Sequence, residues 1–146
     1  MASIYEAAVA LGSRFASITV PQAPDEIRVL PPGHDDDRHA KRDAVLWVNI
    51  VPGEQSHEDE VNSSSIYTYQ LAFSAWYARG HQTLEAMAQN LGSLGQSCVA
   101  AVMHSTLGGF ARKGISAGDI SISYETGGQV DLAYVVRGTI TVERQQ

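Results

Sequence analysis

Two acidic segments of the chain combine carboxylates with histidine, and both groups bind divalent metal ions in proteins. The first, His34 to His39, follows a Pro-Pro-Gly turn and lacks the glycine spacing and final glutamate of an EF-hand. The second surrounds His57 and lacks the second histidine of a zinc motif. We therefore predict no metal site, and expect charged loops over residues 31–43 and 52–63 that are structural or face a partner.

Trp47 and Trp76 lie on predicted strands and complete the expected partner surface. Both faces of the strand over 44–51, which contains Trp47, are apolar enough to be covered, and we expect Trp76 to be exposed. The candidate interface residues are Asp35, Asp36, Asp37, Arg38, Trp47, Glu54, His57, Glu58, Asp59, Glu60 and Trp76.

The other chemically suggestive residues favour structural roles. The run from Gly108 to Gly114 resembles a phosphate-binding loop, but a glycine follows Lys113 where such a loop needs serine or threonine. We predict a helix end and a turn there. Cys98 lies on the apolar stripe of a predicted helix, which is typical of a small core residue. No nucleophile elbow or His-Glu-x-x-His motif occurs, so we predict no enzyme and no cofactor.

Charge and aromatic pattern both bear on nucleic-acid binding. The chain has 16 acidic and 10 basic residues and a net charge of −6, whereas DNA-binding domains usually carry a basic surface. The aromatic segment from Tyr67 to Tyr77 could stack on bases, but its period of two favours a core face. We expect no specific binding of nucleic acid.

Length and cysteine content favour one domain made in the cytoplasm. A chain of 146 residues suits a single domain over 1–146, and a lone cysteine fits a reducing compartment. We see no secretory signal at the amino terminus and no apolar run of about 20 residues, the length that crosses a bilayer.

Periodicity predicts an α+β fold with a mainly antiparallel sheet, an N-terminal helix and a long central helix packed on it, and a closing β-hairpin. The last strand alternates apolar and polar residues without a break, so its register is strongly specified. Glycines in the central helix would allow a close approach to the sheet or mark a bend. The predicted helices span 4–18 and 81–104, and the predicted strands span 26–30, 44–51, 64–77, 120–125 and 129–143.

Four stretches together resemble the tail terminator proteins of long-tailed bacteriophages, the group that includes the lambda tail terminator. They are the first helix (Ser3–Phe15), the aromatic strand (Ile66–Tyr77), the helix from His81 and the closing strand (Asp131–Val142). The resemblance covers most of the chain as a pattern of elements.

This resemblance implies a structural virion protein at the head–tail junction, made in the bacterial cytoplasm and not bound to a membrane. Its subunits would form a ring, expected to be a hexamer, that caps the tail tube and offers its other side to the head–tail connector. The genome would pass through an acidic lumen without specific binding. Two alternatives stay open: another neck or tail component, such as a connector or tube subunit, and an enzyme, small-ligand or metal-binding domain that uses the acidic loops.

Overall fold

The computed structural model describes residues 3–31, 44–59, 65–78, 80, 82–103, 111–112, 123–126 and 133–145. In chain order the elements are α1 (Ile4–Phe15), β1 (Glu26–Val29), β2 (Leu46–Asp59), β3 (Ser65–Ala78), α2 (Leu84–Met103), β4 (Ala111–Arg112), β5 (Ser123–Thr126) and β6 (Ala133–Gln145).

Helix α1 begins where the sequence predicts. Ser3 is its N-cap, and the Ser3 hydroxyl accepts a hydrogen bond of 3.2 Å from the backbone N–H of Glu6. This bond satisfies one of the amide groups that a helix leaves open at its start. The apolar stripe of α1 faces the sheet, as its spacing of three and four residues predicts. Its buried members are Ala7, Ala8, Leu11, Gly12 and Phe15.

Helix α2 starts three residues later than predicted, after Thr83, whose hydroxyl accepts from the backbone N–H of Ala86 at 3.1 Å. Most of the predicted stripe is buried, but Leu84 is 64% exposed because the first turn extends past the core. Gly92 is also exposed, and a Cβ there would meet no atom within 4 Å. The expectation that this glycine allows a close approach to the sheet is therefore wrong.

The sheet has the strand order β1-β2-β3-β6-β4 among the described residues, and β5 also pairs with β6. All of these pairs are antiparallel except β1–β2, so the prediction of a mainly antiparallel sheet is confirmed. The predicted closing hairpin is present as β5 and β6. Gly138 pairs with Phe73 with no shift of register, so it marks no bulge. With the two helices, this sheet confirms the α+β class.

Strand β2 is longer than predicted. We expected a loop over 52–63, but β2 continues to Asp59 and pairs with β3 as far as Ser65. A β-bulge between Pro52 and Gln55 absorbs the proline and the glycine that follows it, after which the ladder resumes. The sequence signal was hidden because charged residues in this stretch do not show the alternation typical of strands. The other predicted loop, 31–43, lies outside the described residues except at its first position.

The main core fills the space between the two helices and one face of the sheet. Phe15 of α1 contacts Phe73 of β3, with ring centroids 4.8 Å apart. From the strands come alternate residues such as Leu46, Val48 and Ile50, all of them fully buried. Because these positions lie two apart, the residues between them face the opposite side of the sheet.

Candidate functional site: the open face of the sheet

Both helices pack on the same side of the sheet or on each other, which leaves the other side without a helix among the described residues. We call this side the open face. The strand registers place on it the described side chains of Glu26, Arg28, Trp47, Asn49, Val51, Gln70, Ala72, Ser74, Trp76, Ala78, Ala133, Val135, Arg137, Thr139 and Thr141.

A tryptophan pair occupies one end of the open face. Trp47 and Trp76 are directly opposite each other on β2 and β3, and their rings are parallel to within 2° with centroids 6.2 Å apart. They form a second buried cluster with Ala44, Ala133 and Val135. Trp47 is 2% exposed and Trp76 is 1% exposed. The expectation that Trp76 is exposed is therefore wrong, and Trp47 is equally inaccessible in the single chain.

A polar row crosses the open face next to these tryptophans. Arg28, Asn49, Ser74 and Arg137 are register partners on four successive strands. Asn49 and Ser74 form its floor and are almost completely buried. Arg28 Nε donates to Asn49 Oδ1 at 3.4 Å, and Ser74 Oγ accepts from the indole N–H of Trp76 at 3.1 Å.

The second arginine of the row lies over an aromatic ring. The guanidinium carbon of Arg137 is 5.4 Å from the ring centroid of Trp76, which is within the range of a cation–π interaction. Since Trp76 is buried, this contact holds the guanidinium at a defined place on the open face. Each arginine is itself half-buried, so each presents part of its side chain at the surface.

An open depression of about 330 Å³ adjoins the row on the side away from the tryptophans. It forms where the small residues Gly53 and Ala72 lie beside larger polar ones. Its lining side chains offer amide and hydroxyl groups and no ionisable group, so they can form hydrogen bonds but cannot perform acid–base catalysis. The lining residues are Gly53, Gln70, Leu71, Ala72, Thr139, Ile140 and Thr141.

Cys98 belongs to the main core, as predicted. It is fully buried, and this burial raises the pKa of its thiol from 9.0 to about 12. Burial acts in this direction because it disfavours the charged thiolate. The thiol therefore stays protonated at neutral pH, and Cys98 has neither the access nor the charge of a nucleophile.

The acidic candidates are only partly within the described structure. Asp35, Asp36, Asp37, Arg38 and Glu60 lie outside the described residues. Glu54, His57, Glu58 and Asp59 are on strand β2, with side chains outside the described part. Among the residues that the structure describes, no group of three His, Cys, Asp or Glu side chains is placed to hold a metal ion.

The polar row was missed by the sequence analysis. In the sequence, Asn49 lies within an apolar strand and Arg28 within a short strand, and neither position stands out by itself. Only the parallel pairing of β1 with β2 brings them together. The buried Asn49 was the one usable signal, because a buried amide needs a hydrogen-bond partner.

No protein-family model and no curated protein matches the chain. In the described part of the chain, no helix has both the length and the apolar character that a membrane crossing requires.

Proposed function

We propose that this protein is a structural subunit of a bacteriophage tail, a tail terminator that assembles into a ring at the end of the tail tube. In this role the ring stops growth of the tube and joins it to the head–tail connector. The protein acts by binding its neighbours and catalyses no reaction.

The proposal is supported first by the order of elements. The chain has an opening helix, a long aromatic strand, a central helix and a closing β-hairpin, the pattern on which the resemblance to tail terminators rests. A long β2–β3 pair, which includes the second acidic segment as far as Asp59, adds to this pattern.

The open face is the observation that carries the proposal. A closed ring is built from a heterologous interface, in which one patch of each subunit meets a different patch of the next. The open face offers one such patch, with an arginine bonded to Asn49, a second over Trp76, and an open depression lined by hydrogen-bonding groups. The outer surfaces of α1 and α2, on the other side of the sheet, instead expose apolar side chains such as Tyr5, Val9 and Leu84.

The open face also suits binding better than catalysis. Its polar groups are arginine, amide and hydroxyl, with Glu26 as the only acid among its described side chains. Such groups are typical of the polar part of a protein–protein interface, where arginine is enriched.

Sedimentation velocity of the purified protein, alone and with isolated tail tubes, tests the proposal. A tail terminator forms rings that bind to tube ends and stop further growth in an assembly assay. A tube subunit would instead lengthen the tubes, and a connector would bind the head side only. A strict monomer that leaves tube growth unaffected would contradict the proposal.

Matched variants connect the test to the open face. Ala72→Arg places a long charged side chain in the depression, whereas Ser13→Arg places the same side chain on the exposed surface of α1. We expect the first to prevent ring formation and the second to leave it intact. Circular dichroism confirms that both variants are folded.

A further inference from the structure

The depression on the open face has the size and chemistry of a site for one aromatic side chain. Its volume is about 330 Å³, and a cavity of roughly 150 Å³ already holds a benzene ring. Gly53 and Ala72 leave room for an apolar ring, while Gln70, Thr139 and Thr141 offer hydrogen-bonding groups around it. An aromatic ring with a polar tip, as in tyrosine, matches this combination.

Tyr5 is the one exposed aromatic side chain among the side chains that the structure describes. It lies in the first turn of α1 and is 62% exposed, whereas the other described aromatic side chains are buried or half-buried. Tyrosine is enriched at protein interfaces, because its ring is apolar and its hydroxyl group forms hydrogen bonds. Tyr5 is therefore the natural choice for a side chain that binds in the depression.

Tyr5 and the depression are on opposite sides of the sheet. The buried stripe of α1 packs on the covered side, and Tyr5 is on the outer surface of that helix. The Tyr5 side chain therefore cannot enter the depression of its own chain. A contact between Tyr5 of one copy and the depression of the next joins two unlike patches on opposite sides of each subunit, as a closed ring requires.

Charge also favours a second copy of the chain as the partner. Copies with a net charge of −6 repel one another, and a contact that brought their carboxylates together would add to this repulsion. The depression is lined by no ionisable side chain, so a tyrosine ring enters it without meeting a charge. The next residue on α1, Glu6, lies about 100° away around the helix. An uncharged contact of this kind suits two acidic subunits.

We infer that the Tyr5 ring of one copy of this chain occupies the depression beside Ala72 in the next copy. The inference rests on the proposed ring and names the central residue of its subunit contact. Ser13 is about 12 Å from Tyr5 along the axis of α1, which places it outside a contact centred on Tyr5.

Substitutions of Tyr5 test the contact without disturbing the fold, because an exposed side chain contributes little to stability. We expect Tyr5→Ala to weaken ring association about tenfold or more, as the loss of a central interface tyrosine does. Tyr5→Phe keeps the ring and loses only the hydroxyl group, so it should weaken association less. Leu84→Ala is the matched control, since Leu84 is 64% exposed, and it should leave association unchanged. Sedimentation equilibrium measures all four proteins.

Cross-linking tests which residues meet. The double variant Tyr5→Cys with Thr139→Cys carries one thiol on each side of the contact. A short bis-maleimide should link its copies into a ladder that ends at the closed ring. Each single variant has only one of the two thiols and should give no such ladder. Cys98 does not interfere, because it is fully buried.

The outcomes separate this inference from the proposed function. Rings that Tyr5→Ala leaves unchanged, equal weakening by Leu84→Ala, or a double variant without a ladder would overturn the contact and leave the ring in place. A monomeric unmodified protein would overturn both. Cross-linked rings that do not cap tail tubes would support the contact and contradict the tail terminator. If Tyr5→Ala forms normal rings that no longer bind tubes, Tyr5 binds the tube protein, which overturns the inference.

Discussion

Trp47 and Trp76 stack across neighbouring strands, with parallel rings and centroids 6.2 Å apart. The register of β2 and β3 places them directly opposite each other, so strand pairing itself brings the rings together. They are buried with Ala44, Ala133 and Val135 in a cluster separate from the main core. The sheet is thus stabilised on both faces at this end, and the tryptophans hold the polar row in place beside them.

Replacement of Trp76 by alanine is expected to destabilise the folded chain by about 3–5 kcal/mol, the usual cost of removing a large buried aromatic side chain. The loss includes the stack with Trp47, the hydrogen bond to Ser74 and the contact with Arg137. Urea denaturation measures it. Tyr5→Ala is the control, since Tyr5 is 62% exposed and its loss should change stability by about 0.5 kcal/mol or less. Equal effects of the two substitutions would show that Trp76 is not part of a core.

Two glycines are expected to respond in opposite ways to alanine. At Gly92 an added Cβ meets nothing within 4 Å, so Gly92→Ala should stabilise the protein by about 0.5–1 kcal/mol through helix propensity. At Gly53 the Cβ would lie 3.2 Å from the backbone oxygen of Gln70. Gly53→Ala should therefore destabilise the bulge. Thermal unfolding of both variants checks the pair, and a loss of stability in Gly92→Ala would contradict the exposed position of this glycine.

The thiol of Cys98 makes stability depend on alkaline pH. Its folded pKa of about 12 exceeds the unfolded value of 9.0, so the folded state holds the proton more tightly. The stabilisation is complete below pH 9 and is lost as pH rises from 9 towards 12, by up to about 1.4 kcal/mol per pH unit. Comparison with Cys98→Ala isolates the effect from other groups that titrate in this range. Parallel stability curves for the two proteins between pH 8 and 11 would exclude it.

Arg14 connects the two helices. Its Nε donates to the backbone oxygen of Ala101 at 3.2 Å, in the last turn of α2, where carbonyl groups lack a partner within the helix. Arg14→Ala should cost about 1–2 kcal/mol, since the bond is charge-assisted but only partly buried. Ser13→Ala is the matched control, because its exposed hydroxyl bonds only within α1. Hydrogen exchange at the end of α2 should accelerate in the first variant and not in the second.

Most of the fold could be predicted from the sequence, because apolar periodicity reports directly on which face of an element is buried. The stripe of α1 from Ala7 to Phe15 and the alternation of β6 were both predicted and are both present. The extension of β2 to Asp59 was not predicted, since charged strand residues carry no such signal.

The open face was much harder to predict, because it depends on which strands are neighbours. Trp47 and Trp76 were assigned to a partner surface because both faces of the strand over 44–51 are apolar and because Trp76 was expected to be exposed. Their burial follows from a register that places one against the other, and neither sequence position shows this alone. The polar row was hidden from the sequence for the same reason. Its two ends, Arg28 and Arg137, are 109 positions apart in the chain, and Arg28 joins the row only because β1 pairs in parallel with β2.

The proposed role is tested most directly by electron microscopy of tail tubes incubated with the purified protein. We predict a ring of this chain at the end of each tube and an end to further growth when tube subunits are added. The Ala72→Arg variant should leave the ends bare, and Ser13→Arg should cap them. Tubes that keep growing with bare ends in the presence of the unmodified protein would contradict the assignment as a tail terminator.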